Sequence, residues 1–209
     1  MDAEERRQLR VELLATVLLA VAAVATAWST YQSTLWRGDQ AADSTKATAA
    51  HIESSQASTR AGQLTQVDIA TFFQWVDADV AGNRALARFY RRRFRTEFRP
   101  AFAAWIATSP RTNPTAPRSP FAMRQYRVAE AARSERLNTA AGVSTDAAGE
   151  ANERSGNYVL AVVLFAVALF FAGMATKLRS LRRQEVLLVL GWVLFLGAAV
   201  WVATLPVTI

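Results

Sequence analysis

Residues Leu13–Trp28 read LLATVLLAVAAVATAW, Tyr158–Met174 read YVLAVVLFAVALFFAGM, and Val186–Leu205 read VLLVLGWVLFLGAAVWVATL. None of the three contains a charged residue. Each approaches or reaches the ~20 apolar residues that cross a bilayer core, whereas buried helices of soluble proteins are seldom so long and so uniform. Mean hydropathy over the chain is only +0.09 because the region between the first two stretches is polar and rich in Arg and Ala. The predicted fold is therefore all-α: an integral membrane protein with three transmembrane helices. A helical bundle outside the cytoplasm is expected to be continuous with the first two spans.

The expected order follows from that patterning. Residues 1–30 form a cytoplasmic tail and the first span, and 31–157 an extracytoplasmic helical domain. Residues 158–176 form the second span, 177–185 a basic turn, and 186–209 the third span with a short outer C-terminus. Short loops rich in Lys and Arg remain in the cytoplasm. Arg6, Arg7 and Arg10 in the tail and Lys177, Arg179, Arg182 and Arg183 in the turn are thus orientation charges. Three spans place both segments on one side, with the N-terminus cytoplasmic and the C-terminus outside, in a multi-pass cell-membrane protein. The domain carries many arginines of its own, but long domains translocate largely regardless of charge. A basic tail ahead of Leu13 and the small residues Ala25-Thr26-Ala27 also fit a cleaved signal peptide. Trp28, Tyr31 and Trp36 bracket the outer boundary as interfacial anchors, and an uncleaved span is the expected reading.

The middle region lacks the alternating runs of strands. Residues 30–65 contain no proline and only Gly38 and Gly62 as breakers, so the first span is expected to continue outward as one long helix. A second helix is expected from about Val67 to Thr108, on a stripe of Ile69, Phe73, Val76, Val80, Leu86, Tyr90, Phe94 and Phe98. Pro100 should kink or end it. Prolines 110, 114, 117 and 120 mark a loop, and Ser119-Pro120 reads as the start of a last helix running to about Asn157 and into the second span.

One constellation stands out. Thr16, Ala20, Ala23, Ala27, Thr30 and Thr34 recur at alternating spacings of four and three, and Ala41, Ser44 and Thr48 resume the register after Arg37. Such a seam lets helix backbones approach closely in lipid. It can pack against the other spans of the same chain, join copies, or line a pore with its hydroxyls. From Gly38 to Gln63, Ile52 is the only large apolar residue, so this stretch must be covered by the second helix, pack through its alanines, or line something wet. Arg84, Arg88, Arg91, Arg92, Arg95 and Arg99 form a basic face at spacings of three and four. It is either solvated and partly paired with Glu97, or attractive to anionic lipid or an anionic partner.

Several function classes drop out. With no cysteine and one histidine, His51, neither a thiolate nor a His-rich metal site can be built. Asp77 and Asp79 are two apart and point to different helix faces. No catalytic triad, phosphate loop or Walker sequence is present. No enzyme, cofactor or nucleic-acid partner is expected. The spans hold no ionisable residue for ion coupling, and the cytoplasmic portions are too short for an output domain, so a sensor would need a separate signalling partner.

The exit of the first span, AWSTYQSTLW at 27–36, and the turn KLRSLRR at 177–183 carry a resemblance of layout. The chain resembles an uncharacterised family of bacterial three-span membrane proteins with a helical extramembrane region. The resemblance implies a layout and no activity. The expected function is a homo-oligomeric membrane assembly, with a pore capped by the outer domain as one form. The alternative is a membrane-anchored scaffold that binds an envelope partner or anionic lipid.

Overall fold

A computed structural model describes residues 3–178 and 180–208. The described residues are helical or irregular, with no strand. The elements are α1 (Ala3–Val80), α2 (Arg84–Arg93), α3 (Arg99–Ala107), a 3-10 turn at Pro120–Ala122, α4 (Ala129–Ala175) and α5 (Leu181–Ala203). Helices α1, α4 and α5 are each long and apolar enough to cross a membrane. The chain divides into two compact units, Met1–Thr45 with Ser144–Ile209, and Lys46–Val143.

In the first unit, α1, α4 and α5 pack through a common core. Val11, Ala15, Leu18 and Ala22 of α1 meet Ala161, Phe165, Ala168, Ala172 and Ala175 of α4 and Leu188, Phe195 and Ala198 of α5. All three sets step by four and three (or seven), the spacing of left-handed helix packing. The core is built largely from Ala, which brings backbones close where dispersion rather than water exclusion holds helices together. At Gly191 an added Cβ would lie 3.1 Å from Leu18 Cδ2 and 3.4 Å from the Ala168 carbonyl, so glycine permits the closest approach.

Both ends of this bundle are fastened by polar contacts. At one end, the Arg7 guanidinium donates two bonds to the Glu185 carboxylate, at 2.6 and 2.8 Å. This joins the basic tail to the basic turn. At the other, Gln32 is fully buried and exchanges two 3.1 Å bonds with the backbone of Thr208. Tyr158 donates its hydroxyl to the Pro206 carbonyl, and Ser33 and Ser155 pair in the interior at 3.0 Å.

In the second unit, α1 runs on to Val80, beyond the expected boundary near residue 65. It stops in a motif that uses glycine's left-handed conformation. Gly82 has φ +72°, its N–H bonds to the Asp79 carbonyl, and the Asn83 N–H reaches back to Ala78. Asn83 then caps α2, its side chain accepting from Leu86 N–H. The expected single helix from Val67 to Thr108 is thus three elements. Pro100 sits in the first turn of α3, where a missing N–H costs nothing, and begins a helix rather than ending one. Likewise Pro120 opens only a short 3-10 turn, and α4 begins at Ala129.

The expected apolar stripe on the outer part of α1 is displaced by one residue. Ile69, Phe73 and Val80 are exposed and of the expected residues there only Val76 packs on the core, while Phe72 is buried against Phe94, Phe98, Phe102 and Trp105. Trp75, Phe121 and Tyr126 close this aromatic core, and the Trp105 indole N–H fastens the proline-rich loop through the Pro117 carbonyl at 2.7 Å. Most of the small-residue stretch of α1 is exposed, only Ala47, Ser54, Ala57 and Ala61 being buried, and its hydrogen-bonded partner is α4 rather than the segment after Val67. Ser54 and Ser134 hydrogen-bond each other's backbone carbonyls at 2.9 and 3.0 Å.

Candidate functional site

The seam on α1 occupies a face that its own chain leaves open. Thr16, Ala20, Ala23, Ala27, Thr30 and Thr34 are all exposed. The residues of α1 that meet the rest of the unit are Val11, Ala15, Leu18, Ala22, Ser29, Gln32, Ser33 and Trp36, all buried. At 3.6 residues per turn the two sets fall on opposite sides of the helix. Between them lies a third sector of exposed bulky side chains, Leu13, Val17, Val21 and Val24. The outward surface of α1 is therefore not uniform: one sector is bulky and the next is small.

The hydroxyls on the small sector are already occupied. Thr16 donates to the Glu12 carbonyl at 2.9 Å, Thr30 to Thr26 at 2.8 Å and Thr34 to Thr30 at 3.0 Å. Each bond turns a polar hydrogen back onto the preceding turn, so the face presents methyl groups and close backbone. Of the aromatic anchors, Trp28 and Tyr31 are exposed, their rings 6.0 Å apart. Trp36 is instead buried beside Ala151 and Tyr158, with the Arg154 guanidinium 4.7 Å above its ring.

The orientation charges Arg6, Arg7, Arg10, Lys177, Arg182 and Arg183 are exposed, and Arg179 lies outside the described residues. The basic residues of the second unit do not form one helix face, because α2 ends at Arg93 and α3 begins at Arg99. Arg95, in the connection, turns inward to Asp68 at 2.8 Å and also pairs with Glu97. Arg99 donates to the carbonyls of Phe94 and Arg92 at 2.9 and 3.0 Å, capping the C-terminal end of α2.

Asp68 is the ionisable residue that sequence reasoning missed. Its side chain is fully buried; Oδ2 accepts from Arg95 and, at 3.3 Å, from the Tyr126 hydroxyl, while Oδ1 has no partner. Burial raises its pKa above the ordinary carboxylate value, partly opposed by the Arg95 charge and the Tyr126 bond. Burial likewise raises that of Tyr126. The available signal was register: Asp68 lies four residues before the buried Phe72, on the face that carries Ala57 and Ala61 inward. The cluster ties α1, the α2–α3 connection and the segment before α4 together.

His51 and Asp77 are exposed, and Asp79 pairs with Arg111. Among the described residues no group of three His, Asp or Glu side chains is placed to hold a metal ion. No family model, curated protein or solved structure matches the chain.

Proposed function

We propose that the protein is a non-enzymatic, homo-oligomeric membrane assembly whose copies meet through the small-residue face of α1. In this reading the N-terminus is cytoplasmic and the region between the first two spans forms an extracytoplasmic helical domain. One observation carries it: all six seam residues are exposed and lie opposite the surface of α1 that packs against its own chain. Small side chains on a lipid-facing surface gain little unless another helix approaches closely, and bulky residues already fill the neighbouring sector. The internally bonded hydroxyls favour packing over a hydrated lining. A pore would require a wider ring of α1 helices around an open axis, which a planar-bilayer recording detects directly.

The chain has no cysteine, so a single introduced thiol reports contacts between copies cleanly. Ala23→Cys in native membranes is expected to give a disulfide-linked dimer, because a disulfide requires Cα atoms within ~7 Å. Val24→Cys, in the bulky sector, is the control. Equal crosslinking at both positions, or none at Ala23 while the protein is folded and abundant, overturns the assembly.

A further inference from the structure

Four arginines of the second unit converge on one concavity. Arg88, Arg91, Arg92 and Arg99 line a shallow depression of about 370 Å³, and no carboxylate contributes to its wall. Among the described residues none of the four is in a salt bridge with an acid, in contrast to Arg95, Arg111, Arg133 and Arg154. Three of the four are held by other contacts. Arg99 is held by two backbone carbonyls, Arg88 donates Nε to the Arg84 carbonyl at 3.2 Å, and the Arg91 guanidinium lies 5.8 Å from the centre of the Phe102 ring. These contacts orient three of the guanidinium groups, Arg92 being exposed beside them, and leave most of the charge uncompensated.

We infer that this depression is a binding site for a phosphomonoester dianion. A guanidinium offers paired donors whose spacing matches two oxygens of a phosphate. Four such groups around one hollow exceed what the two oxygens of a single carboxylate can accept. A phosphomonoester supplies three terminal oxygens and a second charge. The ligand chemistry is shared by free phosphate and by lipid headgroups that end in a phosphomonoester, and the site stands independently of how copies assemble.

The test uses the full-length protein in zwitterionic detergent and in phosphatidylcholine nanodiscs. Inorganic phosphate is titrated calorimetrically at low salt, and nanodisc-held protein is offered vesicles with or without phosphatidic acid. Arg88→Gln combined with Arg92→Gln replaces two exposed side chains and should weaken binding by about tenfold or more per guanidinium removed. Arg84→Gln, on α2 but outside the depression, should leave it within about twofold, since rim charges away from a contact contribute little. Saturable phosphate binding identifies the free anion as a ligand; capture of phosphatidic acid vesicles alone identifies the headgroup; either result with the variant pattern supports the site. Equal loss in Arg84→Gln and the double variant, or no binding in either arm by folded wild-type protein, overturns it.

Discussion

Replacing Asp68 with alanine tests whether the buried cluster holds the second unit together. In the native arrangement the carboxylate, fully buried, accepts from Arg95 at 2.8 Å and from Tyr126 at 3.3 Å. Alanine removes both bonds and leaves Arg95, whose side chain is only 21% exposed, with Glu97 as its remaining acid. Breaking a buried pair from one side costs about 3–5 kcal/mol, and the surviving Glu97 contact places this case near the lower end, ~3 kcal/mol. That is on the order of a 150-fold increase in the local opening constant. Hydrogen exchange of the full chain in detergent should show it as lost protection across residues 94–105. Asparagine separates charge from hydrogen bonding. Burial raises the Asp68 pKa above 3.8, so ionising this carboxyl is harder in the folded unit than in the unfolded chain, and Asp68→Asn, which keeps a hydrogen-bonding side chain there, should cost less than Asp68→Ala. The pH dependence follows with a definite sign. A carboxyl whose folded pKa is raised contributes stability that is present below the unfolded value and lost as pH rises through the folded one. Wild-type protection in this segment should therefore fall relative to Asp68→Asn as pH climbs above 3.8. Unchanged exchange in Asp68→Ala would refute the assigned role, and a wild-type advantage growing with pH would refute the sign.

Two further perturbations address the first unit. Gly191→Leu forces a side chain against Leu18 and the Ala168 carbonyl, which already lie 3.1 and 3.4 Å from where a Cβ would stand. Overpacking of this kind costs about 1–3 kcal/mol, and thermal unfolding in detergent should shift down, with Gly197→Leu, where no atom lies within 4 Å, as the unaffected control. Gln32→Ala removes both bonds to Thr208, about 1–3 kcal/mol of local fastening. Carboxypeptidase should then trim the C-terminal residues faster, and unchanged trimming would show that the tail is held elsewhere.

The three membrane-length helices were legible because bilayers exclude charge: the first two uncharged stretches fall within α1 and α4, and the third lies on α5 up to Ala203. The continuation of α1 to about residue 65 was legible for a complementary reason, since residues 30–65 contain no proline and only Gly38 and Gly62 as breakers; its further reach to Val80 was not. The aromatic core was harder to read. Phe72 and Phe73 are adjacent, so the apolar stripe admits two registers, and only the partners contributed by Phe94, Phe98 and Phe102 decide between them. The partner of Asp68 lies 27 positions away, a separation at which spacing carries no information. Pro100 misled because the rule that proline breaks helices applies to helix interiors, and it stands in the first turn of α3; Pro120 was read as the first residue of the last helix, yet it opens only a 3-10 turn and α4 begins at Ala129.

Within the membrane-length segments the difficulty has another origin. When a helix is apolar on every side, hydrophobic periodicity no longer separates the packed face from the lipid face, and side-chain size becomes the remaining signal. On α4 the packed row follows that signal except at Tyr158 and Phe165: Ala161, Ala168, Ala172 and Ala175 lie inward, while Leu160, Val163, Val167 and Phe170 point outward. Applied to α1, size alone marks two small rows, one through Ala15 and Ala22 and one through Ala20, Ala23 and Ala27. The first is filled by α4 and α5. The second obeys the same rule with nothing from its own chain against it, and it is the surface that the proposed contact between copies of α1 requires.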